Sequence, residues 1–201
     1  MLTILENKKI LLEKFSNANI IINNQYIEIQ VQQNEIFNVI KKLKDDSKLH
    51  YDQLIDLTAI DYPSREKRFD IIYILLSMTL NKRILVKSSI DENYKIQSIT
   101  SIHKASDWYE RECYDLFGIE FLNHPDLRRI MTDYNFEGHP LRKDFPLTGH
   151  TEVRYDDLEK KVVYEPVKLT QEYRNFDYMS PWEGLDNKLI GDEKPKEEKN
   201  K

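Results

Sequence analysis

Charged side chains crowd together at residues 110–115, the part of this sequence best suited to chemistry. Glu110, Arg111, Glu112 and Asp115 bring three carboxylates and one guanidinium into two turns of a predicted helix. Such a set could supply a general acid and base, or ligands for a hard metal ion. It could also form a solvated or partner-facing helix surface whose charges pair four residues apart. We favour the second interpretation, because a catalytic base also needs a pocket and nothing in the sequence indicates one.

Histidines are a second candidate for metal binding, since four of them lie in the second half of the chain: His103, His124, His139 and His150. No two of these are three or four residues apart, and no cysteine pair accompanies them. Their spacing therefore matches no compact ligand motif. We predict surface or interface histidines instead. Two of them, His124 and His139, precede prolines, a pattern typical of turns.

A basic stretch with interleaved aromatic rings follows, at residues 128–145. Arg128, Arg129, Arg142 and Lys143 could form a platform for single-stranded nucleic acid. Nearby acidic residues cancel most of this positive charge, and the whole chain has a formal net charge of -5. Nucleic acid is therefore not a predicted partner. We expect these arginines to pair with carboxylates of a partner protein.

The sequence offers few means of binding a cofactor. It has only five glycines and no glycine-rich phosphate loop, so we expect no direct nucleotide binding. Cys113 is the single cysteine, which excludes an intrachain disulfide and an iron–sulfur cluster held by this chain's thiolates alone. No apolar run approaches the roughly 20 residues of a membrane-spanning helix. We also expect no targeting signal at the N-terminus.

The elements around these residues must position them. With 201 residues, 40% of them hydrophobic, the chain can form one domain of ordinary size. Apolar periodicity predicts helices over residues 6–18 and 34–43. It also predicts two short strands within residues 20–31, and strands over 54–60, 69–76, 83–89 and 96–102. We therefore predict an α+β fold for residues 1–122, in which a mostly antiparallel sheet carries two helices packed on one face.

A short helix over residues 107–118 is the clearest local prediction. Asp107 and Glu110 have the spacing of a capping box at its N-terminus. Gly118 stands where a left-handed residue ends a helix. Arg111 and Asp115 are four residues apart and could pair on its surface. This pattern predicts a helix whose acidic face contacts water.

After this helix the chain changes character. Five prolines between residues 125 and 181 break regular structure, yet large aromatic side chains continue throughout. We predict an extended arm over residues 123–185 that uses these rings as anchors on a partner protein. The alternative is that the arm wraps back over its own sheet. Residues 186–201 are dominated by charged and polar side chains and form a predicted disordered tail.

Two runs in this region resemble the signature of the 30 kDa subunit family of respiratory complex I. They are ERECYDLFGI at residues 110–119 with HPDLRRI at 124–130, and EGHPLRKDFPL at 137–147. The arm is similar to the same family, from EVRY at 152–155 to PWE at 181–183. The likeness covers nearly the whole chain. In bacteria this family is the C subunit of the proton-pumping NADH dehydrogenase, and in mitochondria the subunit 9 or iron–sulfur protein 3 homologue.

The resemblance implies a subunit of an NADH:quinone oxidoreductase that translocates protons, with no catalytic residue and no bound cofactor of its own. FMN, the Fe-S clusters and quinone would belong to partner subunits. The implied partners are the 49 kDa-type (D) subunit and the small Fe-S subunits of the hydrophilic arm. The implied location is peripheral at the inner membrane, on the cytoplasmic side in bacteria or the matrix side in mitochondria. Membrane contact would be indirect, through the complex.

We predict a structural role for this chain in such a complex. Charged residues of the short helix and of the basic stretch, together with rings of the arm, are expected to contact neighbouring subunits. The predicted interface residues are Glu110, Arg111, Glu112, Asp115, His124, Arg128, Arg129, His139, Arg142, Tyr155, Tyr173, Phe176 and Trp182.

Overall fold

The computed structural model describes residues 4–15, 18–22 and 26–169. The chain divides into two compact units, Met1–His150 and Thr151–Lys201. Within the described residues, the first unit contains three helices and two sheets, and the second contains one β-hairpin. No helix in these ranges is both long enough and apolar enough to cross a membrane.

A five-stranded sheet forms the centre of the first unit. Its strands are β1 (Asn19–Ile22), β2 (Ile27–Gln30), β3 (Gln53–Asp61), β4 (Phe69–Ser77) and β5 (Lys82–Ile90). They lie in the order β1-β2-β5-β4-β3. Three of the four neighbouring pairs are antiparallel, and β2 pairs with β5 in parallel. The predicted α+β class with a mostly antiparallel sheet is confirmed.

The core follows from the two periodicities of the sequence. In β4, alternate residues Phe69, Ile71, Tyr73 and Leu75 are fully buried, as expected for one face of a strand. Three helices contribute to the same buried cluster: α1 (Ile4–Lys14), α2 (Ile36–Asp45) and α3 (Ser106–Phe117). The two helices predicted at residues 6–18 and 34–43 are α1 and α2, whose ends differ from the prediction by a few residues.

The predicted strand over residues 96–102 is wrong in length and in partner. Only β6 (Ile96–Gln97) is extended, and it pairs in parallel with β7 (Phe121–Leu122) instead of joining the main sheet. A two-residue pair cannot add a useful edge to the sheet, but it holds together the chain segments that enter and leave α3. The helix is therefore fixed at both ends.

Helix α3 packs along β3, the last strand of the sheet. Tyr109 donates its hydroxyl to the Ile55 carbonyl at 2.8 Å, and the Cys113 thiol lies 3.6 Å from the Leu57 carbonyl. These contacts use two carbonyl groups of a strand that has a neighbour on one side only. Such edges otherwise pair with strands of other molecules, so α3 protects this one.

The second unit begins with an antiparallel hairpin of β8 (Thr151–Asp156) and β9 (Lys161–Pro166). These residues were predicted as part of the extended arm, and the hairpin was not predicted. The later part of that arm, with Tyr173, Phe176 and Trp182, and the predicted tail over residues 186–201 lie outside the described residues. The extended arm therefore stays a prediction.

Truncation of α2 on its buried side should destabilise the first unit. Ile40 is fully buried against the sheet, so Ile40→Ala is expected to lower the free energy of unfolding by about 2–5 kcal/mol. Lys41, the next residue on the same helix, is exposed. The matched variant Lys41→Ala should change stability by less than about 0.5 kcal/mol. Urea unfolding of both variants measures the difference, and equal values would contradict the assigned orientation of α2.

Candidate functional site

Apart from Tyr155 on the hairpin, the described residues with predicted roles are brought together around α3. The chain leaves this helix at Gly118, passes through β7 and then folds back along the helix. We call residues 123–145 the returning segment. Gly118 has φ +78°, which confirms the predicted left-handed C-terminal cap. A Cβ at this position would lie 2.7 Å from the side chains of His139 and Arg142. Only glycine therefore allows the returning segment to approach so closely.

The predicted capping box at the N-terminus of α3 is wrong. The helix begins at Ser106, and its cap residue Ala105 makes no side-chain bond. Ser106 instead donates its hydroxyl to the His103 carbonyl at 2.8 Å. Glu110, which the box would have directed to the cap, accepts a hydrogen bond from the Ile99 amide at 2.8 Å. The Glu110 carboxylate thus binds the segment that precedes the helix.

The prediction that the acidic face of α3 contacts water is wrong for Glu110 and Asp115. Glu110 and Asp115 are fully buried, and Arg111 is 8% exposed. Glu112 is half-buried. The reason is the returning segment, which covers this side of the helix and supplies hydrogen-bond donors to the buried Asp115. A sequence pattern of charges shows that a helix face is polar, but not what covers it.

Asp115 is the centre of the contact between α3 and the returning segment. Its Oδ2 accepts hydrogen bonds from the amides of Ile130, Met131 and Thr132 at 3.1, 2.7 and 2.9 Å. Its Oδ1 accepts the Thr132 hydroxyl at 2.6 Å and lies 3.4 Å from Arg129. Burial alone would raise the pKa of Asp115, but these hydrogen bonds outweigh it and lower the pKa. The carboxylate is therefore ionised and fully bonded.

The carbonyl groups at the C-terminus of α3 are bonded by the same segment. His139 Nδ1 donates to the Asp115 carbonyl at 2.8 Å, and the Leu141 amide donates to the Leu116 carbonyl at 3.1 Å. Arg142 Nε donates to the Phe117 carbonyl at 2.6 Å. The last carbonyls of a helix have no partner within it, so these bonds satisfy them. Positive charge at this end also interacts favourably with the helix dipole.

A second charged network fixes the end of the returning segment to the sheet. Arg68 donates to both oxygens of Asp61 at 2.8 and 2.9 Å and pairs with Asp144 at 2.9 Å. Asp61 also accepts the Lys143 amide at 2.8 Å. The Arg68 hydrogen bonds are the main reason that the pKa of Asp61 lies below its usual range. This network was not predicted, although a carboxylate at the end of an apolar strand was visible in the sequence.

Glu110 differs from Asp115 in its surroundings, although both are fully buried on one helix. Its Oε1 accepts the Ile99 amide, but its Oε2 is buried without a hydrogen-bond partner. The His124 ring lies nearby, with its Nε2 3.9 Å from Oε2. Burial raises the pKa of Glu110 to about 7. The pKa values of two carboxylates five residues apart are thus shifted in opposite directions.

Other predicted interface residues also have partners inside the chain. Arg111 donates to the Arg128 carbonyl at 3.3 Å, and Arg129 donates to the Gly138 carbonyl at 3.0 Å. The returning segment therefore folds back over its own domain, which was the alternative to an extended arm bound to a partner. Tyr155 is 56% exposed. Contact of these residues with other subunits stays a prediction.

Two further side chains belong to this region: His103, just before α3, and Trp108, on the helix. His103 is 5% exposed, and burial lowers its pKa to about 4. Within the described ranges, no three His, Cys, Asp or Glu side chains are grouped to hold a metal ion. Trp108, for which no role was predicted, is 65% exposed, and Arg111 lies over its ring at 5.4 Å. Tryptophan is enriched among interface hot spots, so the exposed Trp108 ring suits contact with another protein.

Loss of the Asp115 charge should loosen the returning segment. Asp115→Asn presents an amide N–H₂ to donors that need an acceptor, so we expect a loss of about 3 kcal/mol in unfolding free energy. Proteolytic cleavage within residues 123–145 should also become faster. The control is Asp126→Asn, because the Asp126–Arg128 pair is exposed on both sides and is worth at most about 1 kcal/mol. Equal cleavage rates in the two variants would contradict the central role of Asp115.

Glu110 should make stability fall as pH rises. Its pKa is about 7 in the folded chain against 4.5 as the ordinary value, so the folded state holds the proton more tightly. This contribution is complete below about pH 4.5 and is lost by about pH 7, a change of about 3 kcal/mol. Glu110→Gln should therefore gain stability relative to the natural chain between about pH 5 and pH 8. Urea unfolding measures this, Glu112→Gln is the control, and a pH-independent difference would refute it.

Comparison with known proteins gives the family. The model of a family described as "Respiratory-chain NADH dehydrogenase, 30 Kd subunit" matches residues 29–151. The C subunit of NADH-quinone oxidoreductase from Hyphomonas neptunium is 54% identical over 171 residues, 85% of each chain. The protein of the same name from a Methylobacterium species is 56% identical over 170 residues, 85% of this chain and 79% of its own.

A solved structure is similar in fold. It is a chain of the membrane-bound sulfane sulfur reductase, described as an archaeal respiratory membrane complex. The TM-score is 0.62 at 25% sequence identity, and the match covers 71% of this chain and 85% of that one. The family match over residues 29–151 includes the motifs around α3. The chain belongs to the 30 kDa subunit family of respiratory-chain NADH dehydrogenase.

Proposed function

We propose that this chain is a non-catalytic peripheral subunit of proton-translocating NADH:quinone oxidoreductase, complex I. Its role is to hold the redox-active neighbouring subunits in position while electrons pass from NADH through FMN and Fe-S clusters to quinone. Its relatives carry the name of that enzyme's C subunit. The observation that carries the structural role is an exposed apolar face on the β8–β9 hairpin.

The register of the hairpin separates its side chains into two faces. Val153 pairs with Tyr164, and Tyr155 pairs with Val162, so all four lie on one face. Their exposed fractions are 53, 62, 56 and 55% respectively. The same face ends at the Thr151–Pro166 pair, and a run of two valines and two tyrosines open to water is unusual for an isolated domain. Tyrosine is also among the residues enriched at protein interfaces.

The opposite face of the hairpin is charged and internally paired. Arg154 bonds Glu165 at 2.7 Å across the strands and lies 3.3 Å from Asp156. These charges suit contact with water, and the apolar face suits contact with a protein. A two-stranded hairpin is marginally stable by itself in water. A neighbouring subunit that covers the apolar face supplies the missing stabilisation.

The chemistry of the complex is assigned to the partner subunits. Cys113, the single cysteine, is 2% exposed, and burial raises the pKa of its thiol well above the ordinary value. A buried protonated thiol is a poor metal ligand. We infer that FMN, the Fe-S clusters and quinone are bound by the 49 kDa-type subunit, the small Fe-S subunits and other neighbours. This chain contributes rigid surfaces to them.

Attachment to the membrane follows from the partners. One similar solved structure is described as part of a respiratory membrane complex. We infer a peripheral location at the inner membrane, reached through the complex, on its cytoplasmic side in bacteria or its matrix side in mitochondria. The exposed surfaces that serve this attachment are the hairpin face and the Trp108 ring on α3.

Assembly of the complex tests the proposal. Tyr155→Ser with Tyr164→Ser removes the two rings of the hairpin's apolar face, and we expect at least a tenfold loss of assembled complex, about 1.4 kcal/mol of binding free energy or more. The matched control is Arg154→Ser on the opposite face, which should assemble normally. Native gels of detergent-solubilised membranes measure the assembled amount, and NADH:quinone turnover is then normalised to it.

Turnover per assembled complex separates a structural role from a catalytic one. It should be nearly unchanged in the double variant, because the rings hold the subunit but do not touch the reacting groups. Normal assembly with collapsed turnover would overturn the structural role. Normal assembly with normal turnover would show that this face of the hairpin is not an interface.

A further inference from the structure

We propose that Glu110 and His124 form a buried proton-binding site that fastens the start of the returning segment to α3, and that loss of the Glu110 proton loosens this junction. The site is separate from the Asp115 contact and from the hairpin. Glu110 lies on the middle of α3, and His124 is the second residue of the segment that follows β7. Both side chains are completely buried.

The position of one proton on His124 is fixed by its neighbours. Nδ1 accepts a hydrogen bond from the Asp126 amide at 3.1 Å, so it carries no hydrogen. Nε2 lies 3.2 Å from the Asp107 carbonyl oxygen, which can only accept, so Nε2 carries the hydrogen. In this tautomer the N–H of the ring points towards oxygens of α3. Asp107 Oδ1 is 3.2 Å away and Glu110 Oε2 is 3.9 Å away.

Glu110 has no other charge to balance it. The titratable groups that face it are Asp107 and Cys113 on α3, Tyr73 on β4 and His124 after β7. In the described part of the chain, His124 is the only basic side chain within 4.0 Å of its carboxylate oxygens. An unpaired buried carboxylate is strongly unfavourable, so Glu110 keeps its proton in the tightly closed junction.

The two buried carboxyl groups of α3 differ in their hydrogen bonding. Glu110 Oε2 and the Tyr73 hydroxyl are both buried without a hydrogen-bond partner. A protonated carboxyl needs no cation beside Oε2. Asp115, equally buried, has four hydrogen bonds and an arginine and needs no proton. The high pKa of Glu110, caused mainly by burial, agrees with this contrast.

Loss of the proton changes the junction through His124. The new carboxylate charge stands beside that of Asp107 and adds to the pull on the Nε2–H of the ring, away from the Asp107 carbonyl. A ring turned towards Glu110 takes Nδ1 away from the Asp126 amide, because both nitrogens belong to one rigid plane. The hydrogen bond that orders the first turn of the returning segment is then weakened. The junction is tightest while Glu110 is protonated.

Nuclear magnetic resonance of the full chain tests the site directly. The side-chain carboxyl carbon of Glu110 is followed with selectively ¹³C-labelled glutamate from about pH 4 to pH 9, and the Asp126 amide is followed over the same range. We expect Glu110 to titrate about two or more pH units above an exposed glutamate. The Asp126 amide signal should change with the same midpoint. A Glu110 midpoint below about pH 5 would overturn the proposal without any variant.

A variant then tests the coupling. In Glu110→Gln the Asp126 amide should lose the change that accompanies the Glu110 titration, whereas in Glu112→Gln it should keep it. Glu112 is on the same helix and half-buried, which makes it the matched control. If the Asp126 amide of Glu110→Gln still changes with the wild-type midpoint, the two groups are not coupled and the proposal fails.

Discussion

One buried carboxylate organises this subunit. Asp115 accepts three backbone amides and a hydroxyl from the returning segment, inside a space from which water is excluded. A buried charge is tolerated only when its hydrogen-bonding capacity is filled, so the carboxylate and the segment require each other. This contact sets the path of the returning segment. Along that path, three residues bond the end of α3, His139, Leu141 and Arg142, and the segment approaches Gly118 closely.

Much of the fold could be predicted because it depends on local periodicity. The apolar run of β4 indicates a central strand and the apolar stripe of α2 indicates one buried face, and both elements were found close to their predicted positions. The parallel pairing of β2 with β5 could not be predicted, since both directions bury the same side chains. The β8–β9 hairpin was not predicted because the prolines and aromatic residues of its region favour an extended chain.

The residues around α3 were found, but their environment was not. The motif at residues 110–119 identified the correct helix and its glycine cap, whereas the acidic face was expected to contact water. Burial of Glu110 and Asp115 depends on residues distant along the chain, such as Tyr73 beside Glu110 and Thr132 beside Asp115, and no local pattern records such contacts. The charged network of Arg68 and Asp61 was not predicted for the same reason, because it includes residues of the returning segment.

The open apolar face of the hairpin also bears on how the protein is made. A chain synthesised before its neighbours exposes Val153, Tyr155, Val162 and Tyr164 to other newly made molecules. Exposed apolar strands of this kind readily associate with each other. If this face is an interface, as we propose, surplus copies would aggregate or be degraded, and cells would gain by producing this subunit in step with the proteins that cover it.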